Sequence, residues 1–443
     1  MSSWKNRLAI LATLVPAPEY PSHAVYDNRM DELVSRRFTD HFPIGILAEC
    51  IPRDDVDTAV DRAGRREQRT RLLPARIMVY FVIALGLFFG ESYDEVMRRL
   101  VSGLKFIGGW LPSWHIPTPS ALTQARTRLG EEPLKILFGS TVKPLASSAT
   151  PSAWFHGRRV MAIDGVVLDA PDSPANAAAF GYSSSGKGKG AFPRVPVVAV
   201  TECGTHVITH AVIGEAGEGE RTLAQQLIPQ LPPGVLLLAD RGFYSYAMWQ
   251  QLSAAEVDAA FRVSSTLRLP AITEYPDGSY LSALLPPARQ SPIRQSARLH
   301  SGGDERIEHQ WLLEHGVACR VIEYEVEGSA DPYRIITTMM NHDEAPAIDI
   351  AALYHERWEI ECVFDEIEVH QLGHGRVLRS KSPVLVKQEI WGILLAHYAV
   401  RKLVHNASDL AEIDPDRLSF IRALRIIRRQ LSSGAAFSPL HPE

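Results

Sequence analysis

The spacing of apolar and polar residues divides the chain into a helical beginning, a strand-rich middle and a helical end. The densest apolar run is Ile77–Phe89, bracketed by Arg76 and Glu91. A membrane crossing needs about 20 apolar residues, so this run predicts a buried core helix ending near Gly90. Ser92 with Glu95 three residues on has capping-box spacing, predicting a helix through SYDEVMRRLVSGL. Another helix is expected from Thr118 to its stop at Gly130. FTDHFPIGILAECI predicts a further one with Pro43 in its first turn, and the first 22 residues read as an amphipathic helix rather than a signal peptide.

Near residue 155 the period changes. RRVMAIDGVVLDAPD is strand-like around Asp164, and PVVAVTEC and HVITHAVIG are strands about a turn at Gly204. ERTLAQQLIPQL reads as a helix, GVLLLAD as a buried strand ending at Asp240, and VDAAFRVSS as another strand. This order predicts a mixed α/β layer. Residues 265–345 carry proline clusters and short strand-like pieces (RQSARLHSG, RIEHQWLLEHGVACRVIEYEV, YRIITTMM), which predict a β-rich insertion. Helix returns at PAIDIAALYHERWEIECVFDEIEVHQLG and again over about 383–432. The expected division is a helical domain over 1–150 and an α/β domain over 151–443.

Composition narrows the classes. The chain has 443 residues, 46% hydrophobic and 22% charged, which excludes wholesale disorder. A net charge of −5 excludes a uniformly basic coat for nucleic acid, but partners feel local fields. Residues 52–128 hold 12 Lys/Arg against 8 Asp/Glu, and residues 376–430 hold 11 against 5. The second surplus predicts a basic surface able to touch phosphates. The helix bearing Gln124, Arg126 and Arg128 could belong to a helix-turn-helix-like DNA reader, or present an ordinary solvated face. The four cysteines show no Cys-x-x-Cys spacing, so zinc and thioredoxin motifs are absent and a reducing, cytoplasmic setting is expected.

Three carboxylates stand out. Asp164 lies within one apolar strand and Asp240 ends another, where burial is costly without a partner and where ligands of α/β sheets collect. The bland alternative is a hydrogen-bonded structural Asp. Glu361 sits at the edge of a helix whose core stripe is Leu353, Ile360, Phe364 and Ile367. Residues 340–370 hold nine acids against one Arg, so a solvated face with an Arg357–Glu361 pair is the competing account. Together the three acids suit two Mg²⁺ (or Mn²⁺) ions in phosphoryl transfer, with Arg357 or Tyr354 holding a phosphate. Asp169, Asp343, Asp365 and Glu366 are neighbouring acids that could replace a member of the set. GYSSSGKGKG imitates a phosphate loop, but Gly188 stands where a Ser or Thr must hold Mg²⁺. Lys187 and Lys189 on this Gly/Ser loop read better as DNA-backbone contacts, or the stretch as a plain disordered loop. His206, His210, His355, His370 and His374 show no ligand spacing, and supporting roles are expected of them.

AIDGVVLDAPD, LLLADRGFYSY and YHERWEIECVFDEIE resemble the acidic motifs of DDE transposases of the insertion-sequence-4 type. That family's third motif runs Tyr, Arg, Glu, Lys; here Tyr354, Arg357 and Glu361 match in register, and Glu368 stands at the Lys position. LPARIMVYFVIALGLFFGESYDEVMRRL and PTPSALTQARTRLG resemble the same family's N-terminal part, so the likeness spans about 25–405. It implies an RNase H-like core, a mixed five-stranded sheet flanked by helices, with Asp164 on its first strand and Asp240 at its fourth. It implies a DNA transposase in which Asp164, Asp240 and Glu361 bind two Mg²⁺ (or Mn²⁺) ions. Cleavage of the element ends would precede joining of their 3′-hydroxyls to target DNA. Tyr354, Arg357, Arg241, Lys187 and Lys189 would contact nucleic acid, and residues 1–150 would bind DNA ends. The implied partners are double-stranded DNA, as terminal inverted repeats and target, and a second copy of the chain, as a homodimer or larger assembly on DNA. Rival readings are a domesticated or inactive transposase that only binds DNA, and an RNase H-like nuclease without strand transfer.

Overall fold

The computed structural model describes residues 46–67, 73–104, 116–185, 188–325 and 332–432. The helix expected over the first 22 residues lies outside them, as does the start of FTDHFPIGILAECI. The chain begins with helices α1 (Ile46–Cys50), α2 (Arg53–Arg62), α3 (Ala75–Leu87), α4 (Tyr93–Leu104), α5 (Pro119–Leu129) and α6 (Glu132–Thr141). There follow β1 (Trp154–Phe155), β2 (Arg158–Asp169), α7 (Pro174–Phe180), β3 (Tyr182–Ser185), β4 (Gly188–Glu202) and β5 (Val207–Ile213). Next come α8 (Glu220–Leu227), β6 (Val235–Ala239), α9 (Tyr246–Ala254), β7 (Asp258–Arg262), β8 (Thr273–Glu274) and β9 (Tyr280–Leu284). Then α10 (Gln290–Ser301), α11 (Glu305–His315), β10 (Val317–Tyr324), β11 (Tyr333–Thr337) and α12 (Ala347–Leu353). A 3₁₀ turn, Tyr354–Arg357, leads into α13 (Trp358–Asp365), a π-helical stretch (Glu366–Gly373), α14 (Pro383–Ala411) and α15 (Phe420–Ser432).

These elements form two compact units. One comprises Ser152–Asp164 and Gly219–Ile360. The other comprises the described residues up to Pro151, Gly165–Glu218 and those from Glu361 onward.

In the first unit β2, β6 and β7 run parallel, with Ile163 opposite Ala239 and Ala239 opposite Phe261. Parallel neighbours need a crossover, and α9 supplies the one from β6 to β7. β6 is apolar at every position and wholly buried, as a strand covered on both faces must be. Trp249 of α9 meets Phe261 of β7 edge-on at 5.9 Å. Beyond β7 the strands β11, β10, β9 and β8 follow in antiparallel pairs. The fold is the expected mixed α/β, RNase H-like one; in the second unit β4 runs antiparallel to β5.

The insertion after β7 is less β-rich than expected. RQSARLHSG and RIEHQWLLEH form α10 and α11 rather than strands. Ile293 and Ala297 are buried at helical spacing and pack with Leu312, Ala283 and Leu285. A strand would have put neighbouring positions on opposite faces. Gly302 ends α10 at φ 58°, and Asp304 accepts the amide of Arg306 at 2.9 Å to start α11.

In the second unit the apolar run becomes α3, packed against α14. Their approach is close enough to require glycine: a Cβ on Gly392 would lie 2.7 Å from the Val82 carbonyl oxygen. Thr118 caps α5 by accepting the amide of Ala121 at 3.3 Å, and Gly130 closes it at φ 71°. Ser92 accepts the amide of Glu95 at 3.4 Å before α4. Of the candidate DNA-reading residues on α5, Gln124 and Arg128 are exposed, but Arg126 is fully buried. Its guanidinium donates to Gln388, Ser380, Tyr93 and the Leu385 carbonyl, which makes it part of the core and no reader of DNA. Within the stretch read as a Gly/Ser loop, the described residues of β3 and β4 pair antiparallel, with Ser184 opposite Lys189.

Candidate active site

Asp164 and Asp240 owe their places to strand register. The four residues before Asp164 are buried apolar residues of β2, and the five before Asp240 are the whole of β6. Because Ile163 pairs with Ala239 in a parallel ladder, the two aspartates follow side by side. Neighbouring strands lie about 4.8 Å apart, so two half-buried carboxylates share one end of the sheet. Like charges this close repel, and cationic groups are the natural complement.

One such group is present. Arg357 in the 3₁₀ turn after α12 places Nη1 3.6 Å from Asp164 Oδ2. Its guanidinium also lies 5.6 Å from the ring centre of half-exposed Trp358. Tyr354, in the same turn, is 4% exposed, and its hydroxyl donates to the Ala239 carbonyl at 3.1 Å. Burial pushes the phenol's pKa well up; Arg357 offsets part of that and the Asp240 charge adds to it. Tyr354 therefore pins the end of the strand that presents Asp240. Arg241, the next residue, is exposed.

The other predicted residues are placed as follows. Glu361 belongs to the second unit, half-buried on α13 between fully buried Ile360 and Val363, four residues beyond Arg357 along one helical run. Lys187 lies outside the described residues, and the backbone of Lys189 is in β4. Glu368, at the Lys position of the motif, is half-buried; burial and the nearby Asp365 and Asp169 raise its pKa, which Arg194 and His374 oppose.

Of the neighbouring acids, Asp169 pairs with Arg194 at 3.5 Å, and Asp343 is exposed beside His342. Glu366 is buried against Arg401, His397 and His206. Sequence reading weighed Glu366 only as a stand-in ligand and missed this cluster. The available signal was the pair of apolar neighbours, Phe364 and Ile367, that carry it into the core.

Residues 41–139 match the family described as Insertion element 4 transposase N-terminal, and residues 155–399 match that described as Transposase DDE domain. The chain is 30% identical over 417 residues to Transposase InsG for insertion sequence element IS4 of Escherichia coli (strain K12), covering 92% of this chain and 87% of InsG. The chain belongs to the IS4-type DDE transposases. Putative transposase InsZ of the same organism is 27% identical over 201 residues, 45% of this chain and 64% of InsZ. A cryo-EM structure of the piggyBac transposase synaptic complex with hairpin DNA aligns at TM-score 0.46 and 10% identity, covering 90% of this chain and 83% of that one.

As a DNA transposase, the protein is an enzyme that acts on DNA. No helix of the described residues is long and apolar enough to cross a membrane. DDE transposases generally use divalent metal, and the donor chemistry fits: half-buried carboxylate oxygens are the ligands hard divalent cations prefer. Asp164 and Asp240 offer such oxygens from adjacent strand ends.

Proposed function

We propose that this transposase hydrolyses the phosphodiester at each end of its element and then joins the freed 3′-hydroxyl to target DNA. The observation that carries the reading is the register of β2 and β6, which sets Asp164 beside Asp240 with Arg357 against Asp164. Glu361 is the third acid. Divalent ions, Mg²⁺ or Mn²⁺, held by these three carboxylates would activate the attacking oxygen and stabilise the leaving one.

The remaining work falls to the chain's own groups. Arg357 holds the Asp164 carboxylate and offers donors to a DNA phosphate. Tyr354 fixes the strand end, so that Asp240 keeps its place without a flexible side chain doing the holding. Exposed Arg241, with Lys187 and Lys189, meets backbone phosphates and sets register more than sequence. In the first step a water oxygen bonds to phosphorus and the bond to the 3′-oxygen breaks. In the second step that 3′-oxygen attacks a target phosphate and displaces another 3′-oxygen. Two element ends must meet in one reaction, so the active assembly is at least a homodimer on the terminal inverted repeats.

The test is cleavage and strand transfer with linear DNA carrying the element's own ends, in Mg²⁺. Asp240→Asn should bind the ends as wild type does and lose cleavage by about a hundred- to a thousandfold, the scale of removing one electrostatic contributor to a transition state. Wild-type binding without cleavage, in Mn²⁺ as well, would replace this reading by that of a DNA-binding protein. Cleavage without joining would leave a nuclease.

A further inference from the structure

A buried charged cluster lies in the second unit, away from Asp164 and Asp240 in the chain and unused by the proposed chemistry. Glu366 begins the π-helical stretch that continues α13, and only 7% of its surface is exposed. Arg401 of α14 donates to both its oxygens, from Nε to Oε2 at 2.8 Å and from Nη2 to Oε1. His397, fully buried on α14, lies with Nε2 2.9 Å from Oε2. Burial, and the nearby His206, lower its pKa to about 3, so it is neutral and Nε2 carries the proton it donates. His206 sets Nδ1 3.1 Å from Oε1 and Nε2 3.3 Å from Asp416. Its backbone is left-handed, at φ 59°, directly before β5.

Several features of this cluster bear on the helix that carries Glu361. Three well-separated segments, at His206, Glu366 and Arg401, converge on one carboxylate. The stretch it begins is π-helical, a form that is rare and concentrated at functional sites. The same stretch is tied a second time: Gln371 donates to the Ile393 carbonyl at 2.9 Å, and Arg428 donates to the Gln371 carbonyl at 3.0 Å. At about 100° per residue, Glu366 lies some 140° around the axis from Glu361. The helix is therefore gripped on the side away from Glu361, and the grip fixes its rotation.

We infer that Glu366 is a positioning residue, which through Arg401, His397 and His206 sets the rotation of the helix and thereby aims the Glu361 carboxylate at the metal. This rests on the reading of Glu361 as the third acid. Groups that orient a metal ligand are worth about 10–100-fold in metal affinity or activity, so loosening the grip should weaken metal use before it weakens DNA binding.

The experiment compares wild type, Glu366→Gln, the volume-filling pair Glu366→Met with Arg401→Met, and Glu361→Gln. Four quantities are read: Mn²⁺ binding to the protein alone by electron paramagnetic resonance, the Mg²⁺ concentration for half-maximal end cleavage, the affinity for end DNA, and the thermal midpoint. Glu366→Gln strands Arg401 and is expected to lower the midpoint. The Met pair removes both charges and should stay folded, its midpoint lowered by the buried His397 Nε2 proton that loses its acceptor. In both, Mn²⁺ binding is expected to weaken about tenfold and the Mg²⁺ demand to rise about tenfold, with end affinity unchanged. A folded Met pair with wild-type Mn²⁺ binding and Mg²⁺ demand would overturn the proposal, leaving the cluster a matter of stability alone. If Glu361→Gln itself binds Mn²⁺ and cleaves like wild type, the third-acid reading falls and the proposal with it.

Discussion

Arg126 separates a basic residue that holds the fold from one that meets DNA. Its guanidinium is fully buried, with Nε 2.8 Å from Gln388 Oε1 and Nη2 3.1 Å from both Ser380 Oγ and the Leu385 carbonyl. It also stacks on Tyr93, 5.5 Å from the ring centre. Replacing it by Ala leaves Gln388 Oε1 without its donor, about 1–3 kcal/mol. The same change empties the volume of a long side chain, which in cores costs about 2–5 kcal/mol. The two overlap, because the cavity admits some relaxation or water, and about 3–5 kcal/mol is expected. At about 2–4 °C per kcal/mol for a unit of this size, Arg126→Ala should lower the thermal midpoint by roughly 6–20 °C. Arg128, exposed two residues on, is the control: Arg128→Ala should stay within about 0.5 kcal/mol of wild type. Circular dichroism on heating measures the midpoints, and fluorescence anisotropy on end DNA across a salt series measures binding. At a temperature where both variants are folded, Arg126→Ala should keep the wild-type salt dependence, whereas loss of one phosphate contact would reduce the slope by about 1. An unchanged midpoint with a reduced slope for Arg126→Ala would refute the argument and return this residue to the DNA-facing surface.

Two further outcomes are expected. Tyr354→Phe removes the bond to the Ala239 carbonyl, a loss of about 0.5–1.5 kcal/mol; end cleavage should fall while end affinity holds, and a fall in affinity instead would place the hydroxyl on a phosphate. Asp277 in the insertion has its pKa raised by burial but lowered by more through Ser279, the Ala347 amide and Arg320, leaving it below the ordinary value. A carboxyl depressed on folding stabilises above its unfolded pKa near 4 and loses that contribution as pH falls through the lowered value. Wild type should therefore lose more stability than Asp277→Asn between about pH 4 and pH 2, measured by urea unfolding, and equal losses would count against the pairing.

Legibility followed the reach of the interactions. Asp164 and Asp240 stood out because each interrupts or ends a run of apolar residues, and burying a carboxylate there needs a reason that one strand's pattern already poses. The parallel register that sets them together is invisible in either strand alone, since it depends on the chain between them, residues 170–234, bringing β6 back alongside β2. The helices at 290–315 were misread because short pieces such as RQSARLHSG hold few apolar residues, and two or three positions cannot separate a period of 3.6 from one of 2. Arg126 shows the harder limit. On α5 it looks like Gln124 and Arg128, and only Gln388, Ser380 and Leu385, more than 250 residues away along the chain, make it a core residue. Glu366 is the same case in the second unit. In sequence it is one acid among nine, and its meaning comes from Arg401 and His206, brought to it by α14 and the turn before β5. Residues that act on a substrate announce themselves by the local cost of their placement; residues that hold those residues do so through distant partners.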